Sequence, residues 1–484
     1  LALMVILGCI SNLQAQQSPS NTQIKTALDN YFNNNIENGF SGAVLVAKKG
    51  KILLSKGYGY ANISSDIPNT SKTIFDIGSN TKQITATAIL KLVELKKLKL
   101  TDSLKDFFKS IPNDKATITI HQLLSHTSGL QTYSGSDFDM IEKADFLNEV
   151  FVYKLLSTPG KSYHYSNVGF SVLAIILEQV TGQSYEAFLN QYLFQPAGMQ
   201  DTGYLLPKWN TDYIAHGYRR GYQDIGNTIE RYKDIGLSWH LKGNGGINST
   251  LNDLYKWYEA LKNNTLISED SKQQLFEPYI LESKTHNSYY GYGWSISETP
   301  RKTKVVAHSG ANPGFYSDIL YFVDEDVFVI YCANKRVPEL EYLAWEFQKL
   351  IFNLNDTPKP VVKNKYAHIH NFIKTNTPDK VSQLQANYKQ EFGTDIKDVN
   401  LLNRVGYYSL GTDLEHWVIP LLQLNVALFP KDGNLWDTLG EAYFELSQPK
   451  KSIEAFKKAL ALKPTTDCDW CENSQEKLNI LLQN

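Results

Sequence analysis

Strand-forming runs sit near both ends of the first 355 residues and helical periodicity fills the span between, so any sheet must join segments far apart in sequence. Ser41 to Ala47 and Lys51 to Ser55 are β-rich and meet around Gly50, the pattern of a hairpin. Lys304 to Ala307, Ser317 to Phe322 and Val327 to Cys332 repeat it, with Asp324-Glu325-Asp326 as a turn. Between them, Ile84, Ala88, Leu92 and Leu95 recur at helical spacing after Ser79, as do Phe170, Leu173, Leu177 and Val180 before Gly182. The economical architecture is α/β in the α+β sense: an antiparallel sheet built from both ends, flanked by helices, with a mostly helical insertion.

Asp356-Thr357-Pro358-Lys359-Pro360 interrupts both periodicities and marks a linker over 356–364, which sets a first domain at 22–355 and a helical second one at 365–484. The second contains a self-match at offset 34, aligning Leu401–Pro430 with Leu435–Pro464. In the later copy Trp436, Leu439, Gly440, Tyr443, Phe456, Ala459 and Pro464 fall on the tetratricopeptide pattern, with Ser452 where that pattern expects Ala. The earlier copy keeps only Gly406, Leu422 and Pro430. One good repeat and one degenerate one leave two readings open: helices that merely pack, or a groove that binds a protein partner.

Leu1 to Ile10 is a short apolar run followed by Ser11–Gln16, which reads as a signal peptide over 1–15 whose own start is missing, with cleavage after Ala15. The rival reading is a lipoprotein anchored at Cys9 within Ile6-Leu7-Gly8-Cys9. Either way the chain is expected to be exported, periplasmic or secreted. No later stretch approaches the roughly 20 apolar residues of a membrane span. Forty-eight basic against fifty acidic residues leave a charge of −2, which offers nothing to a nucleic acid. Cys468-Asp469-Trp470-Cys471 reads first as a local disulfide, since one C-x-x-C without a second pair is half a zinc site at best. Cys332, in an apolar strand, reads as a small hydrophobe.

Gly78-Ser79-Asn80-Thr81-Lys82 opens what reads as an amphipathic helix, where i,i+3 spacing stacks Ser79 and Lys82 on one face. A serine hydroxyl is a weak nucleophile unless a neighbour takes its proton, and a lysine can do so when burial or nearby cations depress its pKa. Alone, S-x-x-K is common by chance and usually a solvated helix start. Here it is followed by Tyr165-Ser166-Asn167 entering the next apolar helix and by His308-Ser309-Gly310 at the end of a strand.

With these three elements the sequence resembles the serine β-lactamase and DD-peptidase superfamily, including the penicillin-binding proteins and related esterases, whose S-x-x-K, Y-x-N and K-T-G-like boxes line one cleft. Leu124-Ser125-His126-Thr127-Ser128-Gly129-Leu130, Pro159-Gly160 and Gly245-Gly246-Ile247-Asn248-Ser249-Thr250 are similar to the class C-like branch, over residues 22 to 355. The resemblance implies that Ser79 forms an acyl-enzyme while Lys82 and Tyr165 share the proton relay. It also implies that Asn167 holds the substrate amide, and that the backbone N–H groups of Ser79 and Ala311 form the oxyanion hole. His308, Ser309 and Gly310 would bind substrate, with Gly310 letting it approach the strand edge closely. No cofactor is implied.

His308 is the informative departure, because it stands where many β-lactamases carry lysine and a histidine is largely neutral at pH 7. That resembles DD-peptidases, D-amino-acid peptidases and some esterases, so hydrolysis of peptides or esters ranks above hydrolysis of β-lactams. The contrasting function is a penicillin-binding sensor or scaffold that acylates with little turnover and recruits a partner through the C-terminal helices. Three further features read as structural: His126 as a hydrogen-bonder in a turn, Phe315 and Trp294 as either cleft wall or core, and His368 and His370 as no metal site.

Overall fold

The computed structural model describes residues 19–465 and 468–483, so the expected signal segment 1–15 and Cys9 lie outside the described residues. Among the described residues no helix is long and apolar enough to cross a membrane. Contacts divide the chain into two units, one of Leu1–Tyr218 with Asp224–Val361 and the other of Arg219–Gln223 with Val362–Asn484.

In the first unit eight strands form one sheet: β1 (Gly42–Lys48), β2 (Lys51–Tyr58), β3 (Ile280–Ser283), β4 (Ser288–Tyr290), β5 (Ser295–Glu298), β6 (Lys304–Ala311), β7 (Tyr316–Phe322) and β8 (Val327–Ala333). Their spatial order is β2-β1-β8-β7-β6-β5-β4-β3, with antiparallel pairing. Strand β1 from the start of the chain lies against β8 from its far end, Gly42 opposite Ala333 and Lys48 opposite Val327. The β1–β2 hairpin turns at Lys49 and Gly50, both at positive φ, a turn chemistry glycine accepts without strain.

Both faces of the central strands are covered, so β8 is buried at every position and reads as a continuous apolar run rather than an alternation. Period-two geometry sends Ala43, Leu45, Val306, Ile319 and Ile330 into one core and Val44, Val46, Leu320, Val329 and Tyr331 into another. The second core is closed by helix α1 (Asn21–Asn35), which starts in a capping box of Ser20 and Gln23 and buries Ile24, Leu28 and Phe32. The first holds α2 (Thr81–Glu94), α3 (Ile120–Leu124) and α4 (Asn167–Thr181). Phe315 and Trp294 belong to this core, each only 2% exposed, and so does the unpaired Cys332.

Helix α2 is not amphipathic. Every residue from Thr81 to Leu90 is buried. Its polar side chains are tolerated because each finds a partner: Gln83 donates to Asn80, Thr85 to the carbonyl of Gly243 and Thr87 to that of Gln83. A helix enclosed on all sides has little freedom to shift, which fixes the position of anything at its N-terminus. Helix α4 is similarly enclosed from Asn167 to Leu177 and ends at Gly182 in the left-handed conformation.

In the second unit, helices Val399–Tyr407 and Val418–Leu428 are followed by Gly433–Glu445 and Pro449–Ala461. The offset of 34 has a physical counterpart: a Cβ on Gly406 would stand 3.1 Å from Leu422, and one on Gly440 2.7 Å from Phe456. Each glycine therefore lets one helix of a pair approach the other. Ser452 stays buried by donating to the Gly440 carbonyl, 2.8 Å away. Cys468 and Cys471 are joined as a disulfide. His368 bonds Asn387 at 2.8 Å and His370 packs on Tyr222, and among the described residues no cluster of His, Cys, Asp or Glu could hold a metal ion.

Candidate active site

Ser79 sits in a single 3-10 turn, Gly78–Asn80, that leads straight into α2. The turn needs Gly78 at φ 51°, and a Cβ there would lie 2.6 Å from the backbone nitrogen of Ala311. Asp76 braces the turn by accepting from the Gly78 N–H at 2.7 Å, and burial pushes its carboxyl up to about 7. From the other side Gly310 meets the same turn, its missing Cβ pointing at Ile77 O (1.9 Å) and Ser79 N (2.9 Å). Two backbones thus touch without side chains between them, and the amides of Ser79 and Ala311 are brought to neighbouring positions. That is the arrangement an oxyanion requires. Strand β5 pairs with β6 only as far as Ala307, so residues 308–311 keep a backbone edge on that side.

One turn on from Ser79, in the first turn of α2, Lys82 is wholly enclosed, with Nζ 3.1 Å from Ser79 Oγ and 2.7 Å from the Asn244 carbonyl it donates to. Burial holds its amine well below the usual lysine range, and the Asp137 carboxylate pulls weakly the other way. With one N–H committed to Asn244, a neutral amine has its lone pair available for the Ser79 proton. Asn244 escapes a reading of side-chain motifs because it acts through its main-chain oxygen. Its side-chain amide donates to Ser171 and the His240 carbonyl, which fixes that oxygen in place.

Tyr165 lies on the other side of the nucleophile, its ring centroid 4.8 Å from Lys82 Nζ and its phenol hydrogen-bonded to Ser79. Burial pushes this phenol up, so it rests protonated and can donate. The segment before α4 is pinned to the 126–132 loop by Thr132 Oγ1 donating to Tyr165 O (2.9 Å), Asn167 N to Thr132 O (3.1 Å) and Ser166 Oγ to Gln131 O (2.8 Å). His126 completes the clamp. Its Nδ1 accepts from Ser166 N at 3.0 Å and its ring lies 4.3 Å from that of Tyr165 and 4.7 Å from that of Tyr290. Asn167 opens α4, and its buried Oδ1 has no hydrogen-bond partner among the described residues, so it can accept from a substrate N–H.

His308 is in β6 and 8% exposed. Nδ1 lies 2.7 Å from the Ser309 carbonyl, which can only accept, so Nδ1 carries the proton and Nε2 receives the Tyr290 hydroxyl 3.0 Å away. Burial first, and the nearby Lys82 second, push this imidazole down to about 3. It is a neutral side chain. Ser309 is half-buried opposite Asp318 across the β6–β7 pair. Tyr163, Tyr290 and His126 form an aromatic wall beside Tyr165 that motif reading did not find, although Tyr163 stands two residues before Tyr165.

The histidine carries a pH consequence. A histidine whose folded pKa is depressed binds its proton only in the unfolded chain, so its contribution to stability is present above 6.5 and lost as pH falls toward 3, on the order of 4 kcal/mol. His126 adds in the same direction, whereas Asp76, raised to about 7, works the opposite way over part of that range. A His308→Gln variant isolates the first term. Its urea midpoint is expected to fall less than that of the wild type between pH 7 and pH 4, and parallel losses would show that His308 protonates in the folded protein.

A model of the Beta-lactamase family matches residues 28–351. Penicillin-binding protein 4* of Bacillus subtilis (strain 168) is 31% identical over 314 residues, covering 61% of this chain and 68% of the relative. A penicillin-binding protein from Bacillus halodurans superposes with TM-score 0.55 at 28% identity, over 65% of this chain and 96% of that one. A D-amino acid amidase from Ochrobactrum anthropi shares the fold at TM-score 0.55 and 20% identity, over 64% of this chain and 91% of that one.

Proposed function

The chain belongs to the Beta-lactamase family, and from that premise we propose that it is a serine hydrolase of small amides or esters, working through an acyl-enzyme on Ser79. The carrying observation is the contact of Ser79 Oγ with the buried amine of Lys82 at 3.1 Å. Neutral Lys82 takes the hydroxyl proton as Ser79 Oγ bonds to the substrate carbonyl carbon, and the amides of Ser79 and Ala311 receive the oxyanion. As the intermediate collapses, the proton passes through the Tyr165 phenol to the leaving amine or alcohol, which departs. Water then attacks the ester by the same route, its proton returning to Ser79 Oγ and the acid leaving. Asn167 holds the acyl amide, and the free edge of 308–311 aligns the substrate.

Among possible substrates, esters and peptides rank above β-lactams. The neutral state of His308 supports this order, because no fixed cation stands at that position for a β-lactam carboxylate. The relatives named as penicillin-binding proteins support acylation itself. We also assign the chain to an oxidising compartment outside the cytoplasm, for which the Cys468–Cys471 pairing is the support.

The test is intact-mass spectrometry with turnover on a p-nitrophenyl ester, nitrocefin and a D-Ala-D-Ala peptide. A transient acyl adduct that peptide mapping locates on Ser79, with turnover of the ester or peptide exceeding that of nitrocefin, is the expected result. A stoichiometric adduct without turnover on all three would replace the hydrolase by a sensor. Absence of any adduct would remove Ser79 from the chemistry.

A further inference from the structure

Resting on the hydrolase reading above, we propose that the site selects acyl groups carrying an ammonium, and that Glu282 is the residue that recognises it. Lys82 is enclosed and donates to the Asn244 carbonyl, burial holding its amine well below the usual lysine range, and His308 is neutral. Arg336, which donates to the Asn312 carbonyl just beyond β6, is paired with Glu341 at 3.1 Å. Arg231 lies over the Phe138 ring and donates to the Ile225 carbonyl. A substrate carboxylate would find these cations neutral or already engaged.

Negative charge, by contrast, is present and uncommitted. Glu282, on β3, is half-buried and accepts from the hydroxyls of Tyr163 and Ser295, and among the described residues no cation pairs with it. Hydroxyl donors orient a carboxylate without neutralising it. Its field reaches Tyr163, Tyr290 and Tyr165, the last of which hydrogen-bonds Ser79. The rings of Tyr163 and Tyr290 stand 5.6 Å apart beside it, and both pack against His126, which is itself neutral. A carboxylate bordered by aromatic faces is the chemistry that binds an ammonium, through ion pairing together with the ring quadrupoles. An anion brought to the same place meets repulsion.

The alternative role for Glu282 is a brace joining β3 to β5 through Ser295. The two roles separate by a ratio. The full chain is offered an alanyl p-nitrophenyl ester and its N-acetyl counterpart, each in both enantiomers, and the rate of Ser79 acylation is followed by intact mass. The wild type is expected to favour the free-amine acyl group by about tenfold or more, and Glu282→Gln to reduce that ratio to near one. A brace would move both rates together and leave the ratio. An unchanged ratio in Glu282→Gln, or a wild type that favours the acetylated ester, overturns the proposal. Acylation by an unrelated neutral ester but by neither alanyl ester also overturns it while the hydrolase reading survives. Failure of every ester to acylate Ser79 removes both.

Discussion

Lys82→Met is expected to lower kcat/KM for the best ester by about 10²- to 10⁴-fold, the span a positioned general base supplies, while leaving the protein at least as resistant to unfolding. Methionine keeps most of the volume and deletes the amine that removes the Ser79 proton. The effect on stability has two parts of opposite sign. A lysine held well below 10.5 in the folded chain takes up a proton on unfolding at every pH between its folded value and 10.5, so it costs stability throughout that range. Against this, the variant leaves the Asn244 carbonyl without its partner, at roughly 1–3 kcal/mol. The wild type is therefore expected to lose ground to the variant as pH falls from 10.5 toward neutrality. Its activity should fall over the acid side, where Lys82 becomes protonated. Urea melts at pH 7 and pH 9.5 with a pH–rate profile check both. A variant that unfolds early at both pH values would mean that Lys82 is there to hold the fold.

Gly310→Ala is expected to be the most damaging single-methyl change near the site. The added carbon would stand 1.9 Å from Ile77 O and 2.9 Å from both Ile77 C and Ser79 N, and backbone cannot swing aside as a side chain can. Retreat of the Ser79 turn is blocked, since Ile77 N donates to Ile247 O at 2.9 Å and Ile77 O accepts from Ser317 Oγ at 2.8 Å. Retreat of β6 would break its pairing with β7, where Gly310 faces Ser317. Overpacking of this kind costs about 1–3 kcal/mol or more. Displacing the Ser79 amide by an ångström should remove a further 10²- to 10³-fold or so in turnover, because the oxyanion loses its donor geometry. Thermal unfolding and ester turnover measured on one preparation check the two effects. A variant with wild-type kcat would show that the Ser79 and Ala311 amides do not act on the reaction.

Period-two and helical spacing, together with hairpin chemistry at Gly50, made the strands and the main helices legible in the sequence, since these depend on neighbours a few residues apart. The three boxes around Ser79, Tyr165 and His308 were legible because each is a short word. The sequence was misleading at α2, where threonines and a lysine suggested a solvated face. Its burial follows from partners such as Gly243 and Asn244, some 160 residues away. Tyr290 and Glu282 belong to no word near the motifs, and the Asn244 carbonyl, though it adjoins Gly245-Gly246-Ile247-Asn248-Ser249-Thr250, is a main-chain oxygen with no sequence signature at all.

What the sequence determined by itself was the inventory: a nucleophile, a lysine one turn on, a tyrosine and a histidine, on segments of known periodicity. Only the tertiary structure decided their charge states. Ionisation depends on desolvation and on groups that folding brings within a few ångströms, so enclosure is what makes Lys82 a base, keeps Tyr165 a proton donor and leaves His308 neutral.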